Sequence, residues 1–173
     1  MIELESANFI LLVLRVVIGV TMAAHGYQKF FLGGRIPGTA GWFESLGMRE
    51  GTGKFHALTA ASTEIGSGAL MALGFFTPLA AAAFVGVMAV AGFIHRDHGF
   101  FVFKEGYEYN LVLAVIAVTL ATISPGQWSL DHVLLSDPDW NGWTGMALSA
   151  GLGLIAATGL LATFYRTPQK ATA

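Results

Sequence analysis

The chain has 173 residues, of which 54% are hydrophobic and 12% are charged, whereas roughly 25% of the residues in an ordinary soluble domain are charged. This balance excludes a soluble enzyme of the usual kind, and the formal net charge of −2 argues against nucleic acid as a partner, which requires a basic surface. Because the chain has no cysteine, it cannot carry out disulfide exchange, hold a cysteine-ligated iron–sulfur cluster or attach a c-type haem.

The hydrophobic residues are concentrated in five long segments. A transmembrane helix needs about 20 mostly apolar residues to cross about 30 Å of hydrocarbon. In chain order, the predicted spans are residues 9–29, 55–75, 78–95, 109–124 and 143–165. Pro78 suits the first turn of the third span, and Pro125 with Gly126 ends the fourth. The expected fold is therefore an all-α, polytopic membrane helical bundle.

The basic residues other than Arg15 lie on one side of this arrangement. They are Lys29, Arg35, Arg49, Lys54, Arg96, Lys104, Arg166 and Lys170. The other side contains the N-terminus and the loops near residues 75–78 and 125–142, and it carries only acidic charges, at Glu3, Glu5, Asp131, Asp137 and Asp139. The positive-inside rule then predicts that the N-terminus lies outside and the C-terminus lies in the cytoplasm. The expected location is the bacterial inner (plasma) membrane, as a multi-pass protein.

Two charged residues lie inside the predicted spans, Arg15 in the first and Glu64 near the middle of the second. A charge at the bilayer centre costs about 2.5–3.5 kcal/mol on insertion scales, so such residues usually face the bundle interior and find a partner. At a rise of 1.5 Å per residue, we expect Glu64 to lie close to the bilayer midplane and Arg15 to lie about 6 Å from it, towards the outer side. Two interpretations follow, a buried ion pair that fixes helix register and a proton or ligand site at Glu64.

Further polar residues gather at the basic ends of the spans. A quinone head group needs donors to its two carbonyl oxygens and a proton route when it is reduced, and His, Tyr, Lys and carboxylate side chains in an amphipathic pocket supply both. Glu64 and His25 are therefore candidate catalytic residues. The candidate quinone-binding residues are Arg15, Lys29, His56, His95, Glu108 and Tyr109.

Haem and metal ions are weaker interpretations of the same histidines. A bis-histidine haem between His25 and His95 lacks a second pair of inward-facing histidines at membrane depth. A zinc or iron site at His95, Asp97 and His98 is also not expected, because such a run at an interface is typical of a solvated helix end.

The fifth span carries small residues at every fourth position, Gly145, Ser149, Gly153 and Ala157. Such a stripe lets another helix approach closely. The stripe by itself does not distinguish a partner helix in the same chain, a second copy in a homo-oligomer, or another membrane or redox subunit.

Several ordered motifs resemble those of the DoxX-like membrane proteins, over residues 11–135. His25-Gly26-Tyr27-Gln28-Lys29, after an arginine-bearing first helix, resembles the family's HGxxK motif. The other similar segments are residues 42–47 (WFESLG), 64–66 (EIG), 73–78 (LGFFTP), 106–110 (GYEYN) and 125–131 (PGQWSLD). The family's polar positions correspond here to Arg15, His25, Lys29, Glu64, Glu108 and Asp131. We expect Asp131, on the acidic side, to cap a short interfacial turn, as Ser129 also could.

The resemblance implies a four-helix transmembrane core in residues 1–135, to which residues 136–173 add a fifth helix and a short tail. For some family members it implies a membrane subunit of a thiosulfate:quinone oxidoreductase or of a redox-stress complex. The polar residues and the resemblance together favour a quinone-binding subunit of an oxidoreductase. The small size and the stripe of the fifth span suggest instead a non-catalytic accessory or assembly subunit of a larger membrane complex, and the charges of Arg15 and Glu64 at membrane depth suggest a small-molecule permease.

Overall fold

The computed structural model describes residues 3–135 and 140–167. In these two ranges the regular structure is helical. Met48 and Tyr165 also form an isolated antiparallel β-bridge. The helices are α1 (Leu4–Phe31), α2 (Arg35–Ser45), α3 (Gly53–Leu73), α4 (Thr77–His95), α5 (Glu108–Ile123), α6 (Leu130–Leu135) and α7 (Gly142–Phe164). A π-helical segment, Ala147–Leu152, lies inside α7.

Five of these helices coincide with the five predicted spans, which confirms an all-α membrane helical protein. By length and composition, α1, α7 and α4 with its 3-10 extension (Thr77–His98) could each cross a membrane. Helix α5 is apolar but has only 16 residues. Helix α3 has 21 residues but is less apolar, because it carries Lys54, Glu64 and several hydroxyl side chains. Its Glu64 is buried inside the bundle.

Helices α1 and α3 are antiparallel and pack through glycines. A Cβ placed on Gly19 would lie 2.5 Å from the carbonyl oxygen of Gly68, and a Cβ on Gly68 would lie equally close to the carbonyl oxygen of Gly19. A Cβ on Gly26 would lie 2.5 Å from the carbonyl oxygen of Ala61. The two backbones are therefore in direct contact, and these glycines set the register of α1 against α3.

Helix α4 is central, since it packs against α3, α5 and α7. Its Phe84 is fully buried in a core that α1, α3 and α5 complete with Met22, Met71 and Leu120. Helix α7 packs along α4 through the small-residue stripe, where a Cβ on Gly153 would lie 2.6 Å from the carbonyl oxygen of Ala82. Of the three partners that the stripe allowed, the structure therefore shows a helix of the same chain.

Helix α2 was not predicted, because Gly38 and Gly41 weaken its intrinsic helix propensity and it is too short to span a membrane. Tertiary contacts hold it in place. The Glu44 carboxylate accepts hydrogen bonds from the backbone N–H groups of Gly51 (3.0 Å) and Gly53 (2.8 Å), at the start of α3. Helix α2 is thereby fixed across the basic end of the bundle, which we define as the end formed by the loop before α3, the loop after α4 and the end of α7.

The acidic end, opposite, is closed by side-chain hydrogen bonds between distant parts of the chain. Asn8 donates to the Gln127 side chain (3.1 Å) and accepts from the Gln127 backbone N–H (2.8 Å). Asp131 accepts from the backbone N–H groups of Phe76 (2.7 Å) and Thr77 (2.9 Å) and from the Thr77 hydroxyl (2.7 Å). Asp131 therefore caps α4 and not its own turn, whereas the Ser129 hydroxyl accepts from a backbone N–H inside α6.

Candidate functional site

A cavity of about 410 Å³ lies between α3, α4 and α7 at the basic end. Its walls are mainly apolar, and small residues of all three helices, including Ala60, Ala83 and Ala156, create the space. Helix α2 contributes Trp42 and Phe43. The volume falls within the range of about 300–1,000 Å³ that is usual for small-molecule sites.

The polar end of the cavity contains an ion pair between Lys29 of α1 and Glu64 of α3. The Lys29 Nζ donates to Glu64 Oε1 at 2.8 Å and to Oε2 at 2.6 Å. The side chains are only 18% and 5% exposed, respectively. A charge is costly at this depth, and pairing with full hydrogen bonding is what makes the burial of both groups tolerable.

Two histidines also line the cavity, His56 near the start of α3 and His95 at the end of α4. His56 is 3% exposed, and its ring packs edge-on against Phe164. His56 Nε2 and His95 Nδ1 are both buried, and neither has a hydrogen-bond partner among the described residues. An unpaired buried polar atom costs about 1–3 kcal/mol. The two imidazole rings therefore border the cavity, while these two nitrogen atoms are covered by neighbouring protein atoms.

His25 and Tyr109 form a separate pair between α1 and α5. Their Nε2 and hydroxyl oxygen atoms are 3.0 Å apart, and both side chains are half-buried. Neither residue belongs to the cavity wall. The structure therefore joins two of the predicted site residues to one another and not to the cavity, although His25 lies only one helical turn from Lys29.

Arg15 lies at the acidic end, and the ion pair with Glu64 that was one of its two interpretations is not formed. Its fully buried guanidinium donates from Nη2 to the Trp128 carbonyl oxygen at 2.7 Å and packs directly against Gly74. The contacts of the glycines place Arg15 level with the end of α3, near Gly74. Glu64 lies about ten residues before that end of α3, so that roughly 15 Å along the helix axis separates it from the level of Arg15. The sequence estimate was wrong because it aligned the centres of the apolar segments, whereas backbone contacts set the real register.

Glu108 lies at the surface of the basic end. Its carboxylate accepts a hydrogen bond from the backbone N–H of Val102 at 3.1 Å, which fixes the loop between α4 and α5.

Of the eight candidate residues, the cavity therefore brings together Lys29, His56, Glu64 and His95, while the others hold different parts of the bundle.

Sequence reasoning missed the apolar part of the site. Trp42 and Phe43 lie on the unpredicted helix α2, and the small residues of α4 and α7 are separated from α3 in sequence. The only sequence signal for them is the abundance of Ala and Gly in the third and fifth spans. Such residues are equally typical of close helix packing, so the signal does not distinguish a cavity wall from a tight interface.

Comparison with known proteins gives one family. Residues 10–97, just over half of the chain, match the family model described as DoxX. The match includes α1 to α4 and all four polar residues of the cavity, and it ends before α5. No curated protein and no solved structure matches the chain.

Proposed function

Because this chain belongs to the DoxX family, and because its cavity combines apolar walls with paired and unpaired polar groups, we propose that it is the quinone-binding membrane subunit of an oxidoreductase. The observation that carries the proposal is that one mainly apolar cavity is lined both by the buried Lys29–Glu64 ion pair and by two histidines, His56 and His95. A quinone is a flat apolar ring with two carbonyl acceptors, which this combination of groups fits.

Each polar group of the cavity has a defined task in this proposal. A bound quinone supplies an acceptor for two electrons and two protons. Lys29 has three N–H donors, of which two hold Glu64, so the third can donate to a carbonyl oxygen of the ligand. Either histidine can donate to the ligand in the appropriate tautomer. Glu64 holds the ammonium in place and can carry a proton at the deep end of the cavity.

The electrons come from another subunit in this proposal. The chain has no cysteine with which to hold an iron–sulfur cluster, and the described residues contain no group of three or more His, Asp or Glu side chains suited to a metal ion. In the proposed complex, a partner with its own redox centre docks on this chain and supplies the electrons.

The test is to measure quinone that co-purifies with the tagged chain from native membranes in mild detergent, together with the accompanying proteins. We expect near-stoichiometric quinone and a redox subunit with the unaltered chain. Ala83→Leu should remove most of the quinone because it fills the cavity. Ala24→Leu, the same change at an exposed position of α1, should retain it.

Equal quinone in both variants would contradict the proposal. A large complex that contains the chain but no quinone would instead favour an accessory or assembly subunit.

A further inference from the structure

The cavity is open on one side, towards the region that lipid surrounds. Helices α3 and α7 both pack along α4 but make far less contact with one another, and the cavity lies in the gap between them. The residues at the edge of the gap are exposed, namely Thr59 on α3 and Leu152 and Ala156 on α7. We call this opening the α3–α7 gap.

The end of the cavity that faces the basic side is closed by polypeptide. Trp42 and Phe43 of α2 form part of its wall. Behind them, the loop before α3 is joined to the end of α7 by backbone hydrogen bonds, from Arg49 N–H to the Phe164 carbonyl (2.8 Å) and from Arg166 N–H to the Gly47 carbonyl (2.7 Å). Helix α2, the loop before α3 and the end of α7 therefore lie on the basic side of the cavity, whereas the α3–α7 gap lies beside it.

From this arrangement we infer that the ligand of the cavity enters sideways from the bilayer through the α3–α7 gap, and that it is a membrane-dissolved amphiphile with an apolar chain. Its polar head lies near Lys29 and Glu64, and its chain lies against the exposed apolar side of the gap, near Leu152. The inference deepens the proposed function, since it concerns the same cavity, but the route does not depend on redox chemistry.

The absence of cysteine from the chain allows a direct test of the route. The variant Ala83→Cys places a single thiol in the cavity wall. In vesicles, we measure its rate of reaction with a membrane-soluble alkyl maleimide and with a charged sulfonate maleimide added to either side. Each rate is divided by the rate at which the same reagent labels the thiol in the unfolded chain. After this correction, we expect the alkyl reagent to react at least 10-fold faster than the sulfonate reagent.

A second substitution tests the gap itself. Ala156→Trp, added to Ala83→Cys, should slow the alkyl reagent at least 10-fold, because the indole fills the edge of the gap. Ala162→Trp is the matched control, since Ala162 is exposed on the same helix but does not line the cavity, and it should leave the rate unchanged. An unchanged rate with Ala156→Trp, or fast reaction with the sulfonate reagent, would overturn the lateral route.

The same thiol separates this inference from the proposed function. A short-tailed quinone, decyl-ubiquinone, should protect the thiol from the alkyl reagent if the cavity binds quinones. Labelling that is slowed by Ala156→Trp but unaffected by decyl-ubiquinone would support the lateral route and contradict the quinone assignment.

Discussion

Lys29 and Glu64 provide the clearest test at the scale of single residues. Glu64→Gln leaves the Lys29 ammonium buried without a counter-charge, and breaking one partner of a buried ion pair costs about 3–5 kcal/mol. We therefore expect a clear fall in the melting temperature of the purified chain. Glu50→Gln, which changes an exposed glutamate, should leave the melting temperature unchanged.

The double variant Lys29→Met with Glu64→Met distinguishes stability from function. Replacing a buried ion pair by apolar residues of similar size is often neutral or stabilising, so the double variant should recover most of the lost stability. It should still bind less quinone than the unaltered chain. Full quinone binding by a stable double variant would show that the ion pair has only a structural task.

Asp131 is the second residue whose effect can be predicted. Its carboxylate accepts three hydrogen bonds at the start of α4 and is 1% exposed. Because loss of a buried charged acceptor leaves its donors unsatisfied, Asp131→Ala should lower the free energy of unfolding by about 2 kcal/mol or more. Glu5→Ala, at an exposed site near the same end, is the control. Equal melting curves for the two variants would contradict this account of the cap.

At the scale of elements, the glycines of α7 make a matched pair for a test of packing. A Cβ on Gly153 would lie 2.6 Å from the carbonyl oxygen of Ala82, whereas a Cβ on Gly159 would meet no atom within 4 Å. Gly153→Ala should therefore destabilise the bundle by about 1–3 kcal/mol through overpacking. Gly159→Ala should be neutral or stabilising by up to about 1 kcal/mol, because alanine favours the helix. Thermal unfolding in detergent compares the two, and the opposite order would show that α7 does not pack on α4 as described.

The elements differ in how well the sequence predicts them. The long apolar helices were predicted to within a few residues, since a run of about 20 apolar residues has few other stable conformations in lipid. Pro78 lies in the first turn of α4 and α5 ends at Ile123, before Pro125, as expected. Helix α2 was not predicted, because its stability comes from the contact of Glu44 with the start of α3 and not from its own residues.

At the scale of the whole molecule, the charge distribution predicts the orientation in the membrane. The chain has no cysteine, so Glu5→Cys and Arg166→Cys each introduce one reactive thiol at opposite ends of the bundle. With the N-terminus outside, a sulfonate maleimide should label the Glu5→Cys variant in intact cells and the Arg166→Cys variant only after permeabilisation. The reverse pattern would show that the positive-inside rule fails for this chain.

The amino-acid sequence was sufficient to predict the membrane class, the position of the long helices and the residues that are costly to place in lipid. It could do so because these properties depend on local composition and on the free energy of transfer from water. Four of the eight candidate site residues, Lys29, His56, Glu64 and His95, do line one cavity.

The pairing of the buried polar groups depends on how the helices pack, and it could not be predicted from the sequence. Glu64 pairs with Lys29 and not with Arg15, because the backbone contacts of Gly19 and Gly68 set the register of α1 against α3. A shift of about six residues along a helix moves a side chain by about 9 Å, which is enough to change its partner. The cavity has the same origin, since it is the space left where α3 and α7 both pack on α4 but make far less contact with one another.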